Sequence, residues 1–364
     1  MLLINKGQKT HLPDSYHLAN NACAHIYDQL TDLLSNKEYH PYFNKTALKI
    51  TIQEGSEAEQ LEAGNLNILD WLKNHGKSDE LNTILVKHIT LSILSDFVNF
   101  VYESIINAQK GKLSVAYALL RKPFTDELLL LEQLLIEPEE FINKFFHIGD
   151  IKLYGPSSKK HPPNEKEIIE KAYKKVTSIG ASADLIYKIR YDKSFAAGIN
   201  GISNQALHIV TNDSNYKTSN QNLNFVFSGS NDYERYWKQY YYFVPILLIY
   251  AASIADEILL QFLPEDKRKV KKVIRGIKRL LATDKVFLNH RKENINNLLS
   301  EVLISECEKC GNTSSLDKSD FDLFFETEVF LCSHCFAPSE FTLESIQGLS
   351  QIYDLLKTGM IKRN

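Results

Sequence analysis

Backbone breakers are scarce in this chain of 364 residues, with 15 glycines and 10 prolines, which disfavours a loop-rich fold. Long apolar runs are missing as well. The longest lies around Phe243 to Ala255, contains Pro245 and is closed by Asp256 and Glu257. A membrane span needs roughly 20 apolar residues, so this run reads as a buried helix and no membrane association is expected. Met1 to Lys9 holds no apolar h-region, so a secretory signal is not expected and the cytoplasm is the expected address. The formal charge of −3 provides no global pull toward nucleic acid, so any such affinity must be local. G-x4-G-K-[ST], G-x-G-x-x-G, G-x-S-x-G and H-E-x-x-H are all absent, which argues against the phosphate cradles and hydrolytic sites those motifs build.

What is present is helical periodicity and a core. The chain is 44% hydrophobic and 24% charged, and its length suggests two or three domains. Helical spacing covers Asp14 to Leu34, the stretch from Glu57 to about Lys110, and Ser114 to Leu135. Pro123 should break or bend the last of these. Its LLLLEQLLI segment is apolar nearly all round and should be central. Ala47 to Gln53 alternates like a short strand. Gly155 to Asn164 reads as a linker. Helices are then expected over Glu165 to Arg190, Gly198 to Thr211, Asp232 to Phe262 with Asp232 as N-cap, Asp266 to Leu281, Lys292 to Leu303 and Thr342 to Lys357. Thr211 to Asn224 is Asn/Ser/Thr-rich and reads as a surface loop, and Phe225 to Phe227 as a brief strand. The expected organisation is an N-terminal helical region 1–154, a linker 155–164, a second helical region 165–303, a small cysteine module 304–341 and a closing helix 342–364. The fold class is mainly α.

Cys307, Cys310, Cys332 and Cys335 are spaced C-x2-C, twenty-one residues, C-x2-C. Each pair is a knuckle, a tight turn presenting two thiolates to one ion, and Gly311 supplies an easy positive φ after the first. In a reducing cytosol such a quartet favours metal over disulfides. Four thiolates at about 2.3 Å satisfy Zn2+ completely and leave no place for a reacting water, so the expected Zn2+ is structural. His334 falls inside the second pair, but four cysteines fill the tetrahedron without it. With the aromatic, alternating Phe321 to Leu331 between the pairs, this region resembles the zinc-ribbon class, over about 35 residues. Cys23 stands alone and reads as a buried structural thiol.

Lys267, Arg268, Lys271, Lys272, Arg275, Lys278 and Arg279 belong to a basic run of 26 residues, Lys267 to Lys292, opposed only by Asp284. Val270, Val273, Ile274, Ile277, Leu280 and Leu281 recur at helical spacing, so one face packs and the other is basic. Such a face could bind the phosphates of RNA or DNA. It could equally be a solvated face, or be neutralised by 301–340, where nine acids stand against two lysines.

Other candidates each have a structural alternative. Tyr233, Tyr236, Trp237, Tyr240, Tyr241 and Tyr242 could stack bases or form core. Glu132, Asp256 and Glu257 interrupt apolar helices and need partners such as Arg121 or Arg190. His208 and His88 read as core histidines or as catalysts. Ala116 to Leu135 and Tyr191 to Thr211 resemble bacterial helical proteins of the HEPN class, many of which are ribonucleases in defence or toxin systems. That resemblance implies an RNA-cleaving activity carried by an Arg with a His four to six intervening residues later. No arginine here has a His at that distance, so the class's catalytic residues do not carry over.

Three functions follow as expectations: a nucleic-acid-associated or interaction protein with a structural zinc ribbon, an RNA-targeting enzyme with a site near Asn200 to Asn224, Arg190 and His208, and a scaffold that forms a homodimer or binds another protein.

Overall fold

The computed structural model describes residues 2–44, 59–60, 63–64, 66–156, 163–176, 181–287, 304–315, 323 and 329–339. The strand expected at Ala47–Gln53, the helix at Lys292–Leu303, the closing helix at Thr342–Lys357 and most of the linker lie outside them.

Mainly α is the architecture found. A 3-10 turn at Asp14–Tyr16 leads into α1 (His17–Ser35), followed by α2 (His40–Phe43), α3 (Ile68–Asn74), α4 (Ser78–Gln109), α5 (Leu113–Arg121), α6 (Leu128–Ile136), α7 (Pro138–Ile142) and α8 (Ile151–Tyr154). Then come α9 (Glu165–Lys175), α10 (Ala183–Arg190), α11 (Ile199–Leu207), α12 (Ser230–Leu259) and α13 (Glu265–Phe287). Within the stretch of helical spacing before Lys110, Gly76 at φ +67° separates α3 from α4. The stretch Glu165 to Arg190 likewise divides into α9 and α10.

Helix α12 is the spine. From Phe243 to Ala255 every residue is buried, and the helix packs on α1, α4 and α6. Buried apolar side chains from Leu2 to Leu263 form one cluster, so the helices before and after the linker share a core. Ser78–Gln109 and Ser230–Phe262 are long and apolar enough to cross a bilayer, but the apolar window of the second is 94% buried inside the fold. Tyr240 and Tyr241 are core residues. Tyr240 lies 2.7 Å from Ser104 Oγ, and Tyr117 donates to the Tyr236 carbonyl at 2.8 Å.

Two local expectations need correction. Asp232 is not the N-cap of α12. The helix starts at Ser230, and Asp232 in its first turn accepts the Gly229 N–H at 3.0 Å. Phe225 to Phe227 form a turn rather than a strand. Phe225 takes φ +60°, which an extended strand forbids, and its ring stacks on Tyr236 with centroids 4.5 Å apart.

Pro123 interrupts its α-helix in a specific way. Proline has no N–H to give the preceding turn, and between α5 and α6 the chain loosens into a π-turn over Lys122–Glu127. The carbonyls it frees find donors elsewhere. Phe124 O accepts from Arg190 Nε at 2.6 Å, and Thr125 O accepts from the Tyr191 hydroxyl at 2.5 Å.

Candidate metal centre and the helices around it

The two C-x2-C segments fold into matched knuckles. In the first, β1 (Ile304–Glu306) pairs antiparallel with β2 (Thr313–Ser315), and in the second β3 (Phe330–Leu331) pairs with β4 (Pro338–Ser339). Cys307 N–H donates to Asn312 O at 3.0 Å, and Gly311 N–H returns to Cys307 O at 2.7 Å. The same two bonds recur one knuckle later: Cys332 N–H to Ala337 O and Phe336 N–H to Cys332 O, both 2.9 Å. Both turns close with a left-handed residue, Gly311 at φ +68° and Phe336 at φ +56°.

This repetition brings four sulfurs together from two places in the chain. Cys307 and Cys335 Sγ are 3.5 Å apart, Cys310 and Cys332 Sγ are 3.7 Å apart, and all four lie within 4.8 Å of one another. None is in a disulfide. Zinc–sulfur bonds of about 2.3 Å in a tetrahedron place sulfurs about 3.8 Å apart, so the donor set fits a divalent, thiophilic ion. His334 is not part of the cluster, and its backbone N–H donates to Cys332 Sγ at 3.4 Å. N–H groups aimed at sulfur favour thiolate. Those of Cys335 and His334 pull Cys332 down to about 6, and those of Cys310 and Lys309 lower Cys307. Cys310 goes the other way. The Asn312 N–H favours its thiolate, but the three neighbouring sulfurs crowded against it prevail and push it up to about 12. A cation held by Cys307, Cys310, Cys332 and Cys335 would draw all four into the thiolate form and would supply folding energy to the module.

Helix α13, the basic helix, is placed differently from an open phosphate-binding face. Arg275 and Arg279 are buried. Arg275 donates from Nε to Asp256 Oδ1 at 2.7 Å, from Nη1 to Asp32 Oδ2 at 2.9 Å and from Nη2 to Gln29 O at 2.7 Å. Arg279 Nη1 reaches Asp256 Oδ2 at 2.7 Å and Gln29 Oε1 at 3.0 Å. Lys272 pairs with Glu257 at 2.5 Å and Lys271 with Glu38 at 2.9 Å, while Lys267 lies 3.9 Å from Glu38. Lys278 attracts Asp28 on α1. Carboxylates of α1, its following turn and α12 therefore neutralise the helix. The guanidinium groups of Arg275 and Arg279 are turned inward, away from any phosphate at the surface. Lys267 and Lys269 remain exposed, Lys269 pairing with Glu265 of the same helix at 2.7 Å, and Arg268 is half-buried.

Arg190 and His208 do not form a common site. Arg190 is fully buried and pairs with Glu132 through Nη1–Oε1 at 2.5 Å and Nη2–Oε2 at 3.0 Å. His208 caps the end of α11 and is exposed, as is His88 on α4, while Arg121 is exposed at the end of α5. Glu132, Asp256 and Glu257 are members of structural ion pairs.

A cluster at the π-turn escaped the sequence reading. Glu127 is buried, its carboxyl pushed up to about 8 by burial and by the neighbouring Asp96. Lys122 bonds Asp96 and lies 3.2 Å from Glu127 Oε1. Glu127 and Asp96 face each other beside that ammonium as an acid and a carboxylate, the first held up and the second held down in its titration. Only the π-turn places residues 122 and 127 around residue 96, and no helical spacing announces it.

No protein-family model, curated protein or solved structure matches the chain, so the HEPN resemblance gains no support from relatives.

Proposed function

We propose that this chain is a zinc-containing, cytoplasmic interaction protein: a helical body carrying a structural zinc ribbon that binds a macromolecular partner and performs no chemistry at the metal. The observation that carries the reading is the pair of knuckles with the same backbone hydrogen bonds, whose four sulfurs lie within 4.8 Å of one another, as a closed tetrahedral site requires. A site filled by four thiolates has no open coordination position. The enzyme reading loses its candidate pair, since Arg190 is locked on Glu132 inside the core while His208 faces solvent.

Nucleic-acid binding is a second reading, favoured by the exposed cations Lys267 and Lys269 at the start of α13. The test is a purified sample assayed for zinc, for mass in solution and for RNA and DNA binding across a salt series. One zinc per chain with no nucleic-acid affinity at low salt supports a protein-binding module. Binding that weakens steeply with salt and is lost on Lys267→Glu with Lys269→Glu supports the second reading. A metal-free, stably folded chain contradicts both.

A further inference from the structure

The two knuckles share a backbone but not an exterior. The residue before each first cysteine is Glu306 in one and Leu331 in the other. The residue closing each turn is Gly311 in one and Phe336 in the other. The first knuckle therefore shows water a carboxylate and bare backbone, and the second shows leucine and phenylalanine. Phe336 is 73% exposed and Leu331 39%.

Phe336 also stands where its backbone does not favour it. A bulky residue at φ +56° is a conformational outlier, because its Cβ crowds the neighbouring carbonyl. Glycine carries no such cost and occupies the matching position of the first knuckle at φ +68°. Phe225, the other aromatic at a positive φ among the described residues, has its ring stacked on Tyr236. The Phe336 ring instead points to solvent. A residue that strains the turn and has no stacking partner among the described residues points to a contact beyond them.

We infer that the second knuckle is a docking point for a protein partner that offers an apolar pocket with a basic rim, Phe336 being the anchor and Leu331 its flank. The charge around it selects the rim. Glu306 and Glu308 are exposed on the adjoining knuckle beside a single lysine, Lys309, and four thiolates around one divalent cation would add two further negative charges. Phosphate backbones are repelled by such a surface, so the aromatic is not a base-stacking platform. Aromatic anchors surrounded by polar groups dominate the energetics of protein interfaces.

This inference rests on the zinc-bound interaction reading, and the experiment separates the two. Full-length zinc-loaded protein is titrated into three fluorescent probes: a helical peptide of alternating leucine and lysine faces, its glutamate counterpart, and single-stranded oligo-dT. Phe336→Gly is the informative variant because glycine accepts the same turn. The lysine peptide is expected to bind the wild type and to lose about tenfold or more in affinity to Phe336→Gly, with zinc content unchanged and the melting temperature equal or higher. The glutamate peptide and oligo-dT are expected not to bind. A zinc-loaded protein that ignores the lysine peptide, or binds it equally well as Phe336→Gly, overturns the docking site alone. Oligo-dT binding that depends on Phe336 replaces it with nucleic-acid stacking. A wild-type chain without zinc instead contradicts the metal reading.

Discussion

Arg275 of α13 and Asp256 of α12 are joined at 2.7 Å with both side chains buried, and Asp256 uses its second oxygen to hold Arg279. One carboxylate thus fastens two guanidinium groups of the most basic helix to the central helix of the core. Removing one member of a buried charge network leaves its partners desolvated and unpaired, which typically costs about 3–5 kcal/mol. Asp256→Ala should therefore lower the urea midpoint substantially. A loss under about 1 kcal/mol, a value typical of surface pairs, would mean that α13 is held mainly by its apolar face.

Arg190 and His208 should separate sharply under substitution. Arg190→Ala strands Glu132 in the core and frees the Phe124 carbonyl in the π-turn, so a loss of about 3–5 kcal/mol is expected. His208 is exposed, and His208→Ala should change stability by no more than about 0.5 kcal/mol. Chemical denaturation of the two variants side by side checks the contrast. Equal effects would place His208 inside a network the structure does not contain.

Glu127 should give the fold a pH-dependent weakness. Its folded-state pKa of about 8 lies above the ordinary carboxyl value of 4.5, because burial and Asp96 disfavour the anion. The folded protein therefore holds this proton more tightly than the unfolded chain does. The resulting stabilisation is fully present below pH 4.5 and is lost as pH rises through 8. Glu127→Gln keeps the shape without the ionisation. Thermal melts from pH 5 to 9 should show the variant gaining on the wild type as pH rises. Parallel curves would show that Glu127 is already ionised throughout.

The sequence carried the cysteine quartet and most helices because both are local signals. C-x2-C is a complete knuckle, and apolar residues at helical spacing mark a buried face. Pairings across the fold left no such trace. Arg275 and Arg279 look from their helix alone like an exposed basic face, and only the arrival of Asp256 and Asp32 from α12 and α1 shows that they face inward. Phe225 reads as a strand residue by type, and the left-handed turn it adopts is fixed by a ring, Tyr236, in another element. Pro123 announced a bend, but the π-turn and the Glu127 cluster it creates depend on donors from Arg190 and Tyr191.

The proposed zinc site admits a direct test. Metal content per chain should be measured on the wild type and on Cys332→Ser and Cys23→Ser, and the wild type reconstituted with cobalt for visible spectroscopy. One zinc per chain is expected in the wild type and in Cys23→Ser, whose thiol is buried far from the quartet in sequence and absent from it in space. Cys332→Ser should lose the metal, and the cobalt form should show the absorption of a tetrahedral thiolate site. A wild type that folds without metal, or a Cys332→Ser variant that keeps it, would contradict the account.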